Sequence, residues 1–458
     1  MQNVLFRRNT AVSSVLGSVV LIAALALLQV TVVHTSPSPA TTGQWVTLTR
    51  QMPINPVHIV LLNTGKVLIV SGSGNVANNA DFESALWDPA HPEDPIPTQP
   101  LSWDMFCNGI AVLPDGRPII NGGTLFYDPF KGQLRSALYD PATDTFSDAP
   151  AMAHGRWYPT VTALGDGRVM TFSGLDENNK TNTTVEIFDP AGGWSAAYAA
   201  GWTPPLYPRL HLLPSGKVFY SGSGTQSRTF NPATQIWASV ASTNYSGTRN
   251  YGTSVLLPLT PANGYKPQVM IMGGGNPATA TTEIIDLSQT TPAWQWGPPM
   301  SQPRIEMNAT ILPTGTVLAT GGSLNDEDAA TASLNADLYD PRSGSFSSAG
   351  ANTFPRLYHS NALLLPDATV LLIGGNPARG TYEHNLEIYS PAYLFNADNT
   401  PATRPSIDGV SASTLNYGGA LTIQTANAAD ISSIVLVRPG APTHAFDMRP
   451  AAPCRTAR

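Results

Sequence analysis

Charge and cysteine are both scarce in this sequence. Only 12% of the 458 residues are charged and the net charge is −7, so the chain lacks the basic surface that nucleic acids require. The two cysteines, Cys107 and Cys454, allow at most one disulfide, which excludes a disulfide-stapled scaffold. We therefore expect a large core-stabilised protein with no nucleic-acid partner.

Turn-forming residues are abundant by contrast. The chain contains 39 Gly and 41 Pro, a composition that favours an all-β protein with many tight turns over a helical one.

An apolar run near the N-terminus predicts export. Arg7 and Arg8 precede the run at residues 15–33, and a Ser/Pro linker follows at residues 36–39. We interpret residues 1–40 as this linker preceded by either a cleaved signal peptide or an uncleaved membrane anchor. Both interpretations predict a secreted or cell-envelope protein, which we expect to be a monomer.

One pattern of apolar strands and turns recurs from about residue 57 onward. A strand ends in a turn, a second strand ends in Gly-Gly or Ser-Gly, and a third strand runs into Tyr-Asp-Pro or a variant. The third residues of the turns are Gly65, Gly116, Gly167, Gly216, Gly315 and Ala368. Glycine at this place suits a hairpin that needs a positive φ.

The repeat predicts the architecture. Seven units of about 50 residues match the kelch period, in which each unit forms a four-stranded propeller blade. We therefore predict an all-β fold with a seven-bladed kelch β-propeller at residues 41–403. Strands at a different spacing then predict a short, incomplete immunoglobulin-like β-sandwich domain at residues 404–458.

The repeat also places chemically active side chains at one position of successive blades. Counting back eight residues from the second turn residue reaches Cys107, Tyr158 and His359, with Tyr358 beside the last. The same count in three other units gives Tyr207, Glu306 and Pro56. Because blades are related by rotation about one axis, these residues are expected to line one mouth of the central channel.

Four motifs carry a family resemblance. They are Asp104-Met105-Phe106-Cys107-Asn108-Gly109, Arg156-Trp157-Tyr158-Pro159, Arg356-Leu357-Tyr358-His359-Ser360 and Thr443-His444. With these motifs the sequence resembles the copper-radical oxidases, the family of galactose oxidase and glyoxal oxidase, and the Arg-Trp-Tyr-Pro motif resembles the glyoxal-oxidase branch.

The resemblance implies a cofactor and a reaction. Cys107 would be joined to the ring of Tyr158 by a thioether, which makes a tyrosyl radical accessible. One copper ion would be bound by Tyr158, His359 and His444, with Tyr358 as axial ligand and general base. The implied reaction oxidises a small aldehyde, alcohol or carbohydrate and reduces O2 to H2O2.

The sequence departs from the family pattern at two places. Galactose oxidase stacks a Trp on the thioether from the loop that here reads Ser173-Gly174-Leu175-Asp176, which argues against galactose as the substrate; Tyr245 and Tyr251 are the alternative shielding residues. The tail after Met448 resembles a truncation or a shifted reading frame and is expected to leave His444 poorly braced.

A second class of function is left open by the residues. A secreted propeller that only binds a partner, or an inactive truncated oxidase, predicts a free Cys107 thiol and a colourless protein. A third hypothesis is an enzyme with another metal, or a hydrolase. The sequence shows no spaced pair of carboxylates that would support a hydrolase.

Overall fold

The computed structural model describes residues 38–416 and 418–448. Seven antiparallel sheets confirm the predicted all-β, seven-bladed propeller. The predicted signal or anchor segment and the tail with Cys454 lie outside the described residues. Among the residues that are described, no helix is long and apolar enough to cross a bilayer.

The first strands of neighbouring blades contact one another and line the central channel. From the channel outward, blade 1 contains His58–Leu61, Val67–Gly72, Glu83–Trp87 and Thr98–Pro100; blade 2 contains Asn108–Val112, Pro118–Gly122, Ser136–Asp140 and Thr145–Ala149. Blade 3 contains Thr160–Ala163, Val169–Phe172, Thr184–Asp189 and the pair Gly193–Trp194 and Tyr198–Ala199; blade 4 contains Leu210–Leu212, Val218–Tyr220, Gln226–Asn231 and Ile236–Ser242; blade 5 contains Thr253–Leu256, Gln268–Met272, Thr282–Asp286 and Trp294–Trp296. Blade 6 contains Ile305–Ile311, Val317–Ser323, Asn335–Asp340 and Ser345–Ala351; blade 7 contains Asn361–Leu364, Val370–Ile373, Asn385–Ser390 and Gln44–Gln51.

Few elements lie outside the blades. They are the hairpins Thr124–Phe126 with Lys131–Gly132, Gly409–Val410 with Ile423–Gln424, and Pro442–Thr443 with Phe446–Asp447, the short helix Pro39–Thr42, and the 3-10 turns Pro261–Asn263, Ala329–Thr331, Ala392–Leu394 and Ala428–Asp430.

The ring of blades is closed by its N-terminal strand. Gln44–Gln51 pairs antiparallel with Asn385–Ser390 and so supplies the outer strand of blade 7. The rings of Trp45 and Tyr389 meet at this closure with their centroids 4.8 Å apart. The two ends of the propeller therefore stabilise each other.

The core lies between the blades. In the strand Val67–Gly72, Val67 and Ile69 pack toward blade 7 while Leu68 and Val70 pack toward blade 2. Because both faces of an inner strand are buried, its sequence is a continuous apolar run rather than an alternation.

The hairpin Pro442–Thr443 with Phe446–Asp447 extends the sheet of blade 1 into the channel, where Thr443 pairs with His58. Phe446 and Met448 pack against the inner strands of blades 2 and 3. The expectation of a poorly braced His444 is therefore wrong for the residues that the structure describes. The division at residue 404 into an immunoglobulin-like domain stays a prediction.

The hairpin turns between the first two strands adopt the predicted conformation. Gly65, Gly116, Gly167, Gly216 and Gly315 have φ between 78° and 91°. Ala368, at the same place in blade 7, is also left-handed, with φ of 64°.

We expect Ala368→Gly to stabilise the protein by up to about 1 kcal/mol, because glycine removes the left-handed strain but loses more entropy on folding. The matched control is Gly216→Ala, where an added Cβ meets nothing within 4 Å and only strain of about 1 kcal/mol remains. Thermal unfolding should move in opposite directions in the two variants. Equal shifts of the same sign would contradict this account.

Candidate metal centre

Left-handed residues ring one mouth of the channel. Six residues at or next to the start of the inner strands have positive φ: Cys107 at 60°, Tyr158 at 67°, Tyr207 at 43°, Tyr251 at 53°, Glu306 at 60° and His359 at 66°. Such a conformation costs a non-glycine residue on the order of 1–3 kcal/mol. Five of the six were reached by counting along the repeat, and the structure brings them to one mouth as predicted.

Hydrogen bonds between neighbouring blades join these residues. The N–H of Tyr158 donates to the carbonyl of Cys107 at 2.9 Å, and the N–H of Tyr207 donates to that of Tyr158 at 3.0 Å. The N–H of Glu306 donates to the carbonyl of Tyr251 at 2.6 Å. Backbone hydrogen bonds thus join neighbouring blades directly at the mouth.

Buried ion pairs fix the backbone just before four of the residues at the mouth. Four arginines, each two residues before Tyr158, Tyr251, Glu306 or Tyr358, pair with a carboxylate of the third strand. The pairs are Arg156–Glu186 at 2.8 Å, Arg249–Glu283 at 3.0 Å, Arg304–Asp337 at 2.7 Å and Arg356–Glu387 at 2.7 Å. Each guanidinium also donates to a carbonyl at the end of the second strand.

His444 enters the mouth from the channel hairpin with a defined tautomer. The Thr443 hydroxyl donates to the carbonyl of Val57 at 3.0 Å, so toward His444 Nδ1, 2.6 Å away, it can only accept. The hydrogen of the neutral imidazole therefore lies on Nδ1. The lone pair of Nε2 is left facing Cys107 Sγ, at 3.8 Å.

His359 presents the second imidazole. The side-chain amide of Asn376 lies 3.3 Å from its Nδ1, while Nε2 is buried and has no hydrogen-bond partner among the described residues. The ligand atoms of Cys107, His359 and His444 all lie within 4.8 Å of one another.

The two tyrosines flank the imidazoles. The ring centroid of Tyr358 lies 4.0 Å from that of His359 and 5.3 Å from that of His444. The ring centroid of Tyr158 lies 4.7 Å from that of His444, and Tyr158 packs against the apolar cluster that contains Cys107. All five residues singled out from the sequence are therefore together.

Burial keeps these groups uncharged. It lowers the pKa of His359 to about 3 and, together with repulsion from His359 and His58, lowers the pKa of His444 well below its usual value. Burial also raises the pKa values of the Cys107 thiol and the Tyr358 phenol well above their ordinary range. Both imidazoles are consequently neutral at neutral pH, and each has one nitrogen lone pair.

A small cavity opens between Tyr251, Glu306, Tyr358, His359, His444 and Ala445. Burial, together with a hydrogen bond to Asp326 and repulsion from its carboxylate, raises the pKa of Glu306 to about 10. The cavity therefore contains a neutral carboxylic acid beside the two imidazoles.

Trp157 packs against the ring of Tyr158. Their ring centroids are 3.9 Å apart, and Phe130 stacks on the other side of Trp157 at 4.1 Å. Leu175, in the loop that lacks the expected Trp, forms a backbone bridge with Trp157 instead. Tyr245 lies under the Arg249 guanidinium and Tyr251 contacts Tyr358.

The count along the repeat does not reach two residues of the mouth. It misses Tyr251, predicted above only as a candidate shielding residue, because its blade has a long loop in place of the short turn from which the count begins. His58 lies 5.6 Å from His444 between ring centroids, and neither of its ring nitrogens has a partner among the described residues. The only signal for His58 was an imidazole at the start of an apolar inner strand.

These residues fit a copper ion. Two neutral imidazoles and two phenols form a nitrogen and oxygen donor set of the kind that Cu(II) prefers. The Nε2 of His359 is buried and without a partner among the described residues. The Asn376 amide nitrogen donates to Nδ1, so rotation of that amide, which would let its oxygen accept an Nδ1–H, would leave the Nε2 lone pair for the ion.

Comparison with known proteins agrees with this geometry. Residues 91–394 match the sequence model of the family described as "Glyoxal oxidase N-terminus". The chain belongs to the glyoxal oxidase family.

Relatives of this family member include the galactose oxidase of Gibberella zeae, with 26% identity over 90% of this chain and 63% of the relative. The aldehyde oxidase GLOX of Vitis pseudoreticulata is 30% identical over 67% of this chain and 63% of the relative. The chain thus spans less than two thirds of the length of both relatives.

A solved structure, described as a fungal alcohol oxidase of the AA5 family in complex with copper, shares the fold. It aligns with a TM-score of 0.77 over 89% of each chain at 23% sequence identity.

Proposed function

We propose that this chain is a secreted copper-radical oxidase that oxidises an aldehyde or a primary alcohol. Two electrons and two protons pass from the substrate to O2, giving H2O2 together with an aldehyde from an alcohol or a carboxylic acid from an aldehyde hydrate. The observation that carries the proposal is the convergence of Cys107, Tyr158, Tyr358, His359 and His444 at one mouth. Family membership supports the same reaction class.

Tyr158, His359, His444 and Tyr358 would hold the copper ion. When bound, copper would supply one of the two oxidising equivalents and the Tyr158 radical the other. A thioether between Cys107 Sγ and the Tyr158 ring would form with loss of one hydrogen atom from the thiol and one from the ring, both taken up by O2 as H2O2. The sulfur donates electron density to the ring and stabilises its radical.

The remaining roles belong to the side chains. Tyr358 lies against both imidazoles. Its phenol would lose its proton on binding the ion, and the phenolate oxygen would then accept the proton of the substrate hydroxyl as general base. Tyr158 takes the hydrogen atom from the substrate carbon. The Trp157 ring covers Tyr158 and keeps water away from it. Export is supported by the apolar run at residues 15–33.

The thioether is the sharpest test. We expect peptide mass spectrometry of copper-treated protein to find the Cys107 and Tyr158 peptides joined, two hydrogens lighter than their sum, and resistant to thiol reductants. A free Cys107 thiol after treatment with copper and O2 would favour a propeller that only binds a partner.

The matched variant is Cys107→Gly. Glycine tolerates the φ of 60° at this position, so the fold and copper binding should persist while peroxide production falls by orders of magnitude. Full turnover in this variant would exclude the thioether mechanism.

Thr443 should control copper affinity through His444. In Thr443→Val the Nδ1–H of His444 loses its acceptor, and loss of such a supporting hydrogen bond typically weakens metal binding about 10–100-fold. Thr443→Ser keeps the hydroxyl and should bind copper as the parent protein does. Competition with a chelator measures both affinities, and equal values in the two variants would reject this role.

Trp157 should control the lifetime of the Tyr158 radical. An aromatic contact contributes about 0.5–1.5 kcal/mol, so Trp157→Ala should shorten the decay of the radical absorption band several-fold. Trp157→Phe retains an aromatic ring, and its decay rate should lie between those of the parent protein and Trp157→Ala. Trp296 is 55% exposed, and Trp296→Phe is the control expected to leave the decay unchanged. An unchanged decay in Trp157→Ala would remove the shielding role.

A further inference from the structure

Glu306 is the one carboxyl among the six left-handed residues of the mouth. Its side chain is buried, with 2% exposure. Oε2 accepts the backbone N–H of Tyr358 at 3.1 Å and lies 3.5 Å from the Ser323 hydroxyl. This oxygen is fixed by Tyr358, the proposed general base.

The second carboxyl oxygen is available. Oε1 of Glu306 is buried and accepts no hydrogen bond from the described part of the chain; the hydrogen of the neutral carboxyl is shared with the carboxylate of Asp326. A buried polar atom without a partner costs roughly 1–3 kcal/mol. Glu306 lines the same cavity as Tyr358, His359 and His444, so a molecule bound at the imidazoles can supply the missing partner.

We propose that Glu306 is a specificity-determining residue that hydrogen-bonds a second hydroxyl of the substrate. The inference rests on the proposed function, because the first substrate oxygen is assumed to bind beside His359 and His444. A second hydroxyl on the same or the adjacent carbon would lie against Glu306, which lines the same cavity. Aldehyde hydrates and vicinal diols are therefore preferred over alcohols with a single hydroxyl.

The preference for a diol follows from the free energy lost when a ligand leaves the Glu306 carboxyl unpaired. A site built to hydrogen-bond a hydroxyl rejects an analogue that lacks it, because the buried group of the protein is then left unpaired. A diol satisfies Glu306, whereas a simple alcohol of the same size places a methyl group against it.

The test measures binding rather than turnover. Copper-loaded protein whose radical has been reduced is titrated without O2 with ethylene glycol and with 1-propanol, which differ by a hydroxyl in place of a methyl group. The electron paramagnetic resonance spectrum of Cu(II) reports both dissociation constants. We expect the parent protein to bind ethylene glycol about tenfold or more tightly than 1-propanol, as one buried hydrogen bond warrants.

Two variants of Glu306 assign the effect. Glu306→Leu should bring the ratio of the two dissociation constants close to one without weakening the binding of 1-propanol. Glu306→Gln keeps an acceptor for the Tyr358 N–H and a polar group in the cavity, and should retain most of the preference. An unchanged ratio in Glu306→Leu, or equal weakening of both ligands, would overturn the inference.

Asp326 provides the control. Its carboxylate repels and hydrogen-bonds that of Glu306. Asn keeps an acceptor for this hydrogen bond, so Asp326→Asn should preserve the preference for ethylene glycol. Loss of the preference in this variant would assign selectivity to the pair of acids and refute the role of Glu306 alone.

The copper content of each preparation separates the two levels of the proposal. If the parent protein binds no copper, the proposed function and this inference fail together. If it binds copper and produces peroxide but shows no preference for the diol, only the role of Glu306 fails.

Discussion

The buried ion pair between an arginine and a carboxylate is the interaction on which the mouth of this propeller depends. Arg156, Arg249, Arg304 and Arg356 are almost wholly buried, and each reaches both a third-strand carboxylate and a carbonyl at the end of the second strand. Removing one partner of such a pair leaves an uncompensated buried charge, at a cost of about 3–5 kcal/mol. The pairs therefore fix the backbone just before the strained left-handed residues, whose conformation needs such external support.

The proposed metal centre is also coupled to closure of the ring. Tyr158, His359 and His444 come from blade 3, blade 7 and the channel hairpin, so their side chains meet only when the whole propeller has formed. The hairpin is anchored by the pairing of Thr443 with His58, and the same Thr443 sets the tautomer of His444. The contact that completes the fold thus also orients an imidazole.

The repeat explains what the sequence could predict. Blade number, turn conformation and the gathering of Cys107, Tyr158 and His359 all follow from one period, because rotation about an axis converts equal spacing into proximity. The features that the repeat period could not predict depend on contacts between residues that do not share a repeat position. The carboxylate partners of the arginines lie about 30 residues downstream without a fixed motif. Tyr251 precedes two strands that are joined by a longer loop than in the other blades, and Trp157 takes the place expected for a residue of the next loop. The channel hairpin that carries His444 is held by the pairing of Thr443 with His58 in blade 1. A local sequence pattern cannot predict such a long-range contact.

The two sides of the mouth differ in polarity, and this difference suits a division of labour. Tyr158 lies among Trp157, Tyr207 and the cluster around Cys107, a largely apolar setting. Tyr358 faces the cavity that contains Glu306. A radical persists where water and proton acceptors are excluded, whereas a general base requires polar partners that can exchange protons. The arrangement of neighbours therefore supports Tyr158 as the proposed radical residue and Tyr358 as the base, because exchanging the two roles would put the radical beside a carboxyl group and the base against an indole ring.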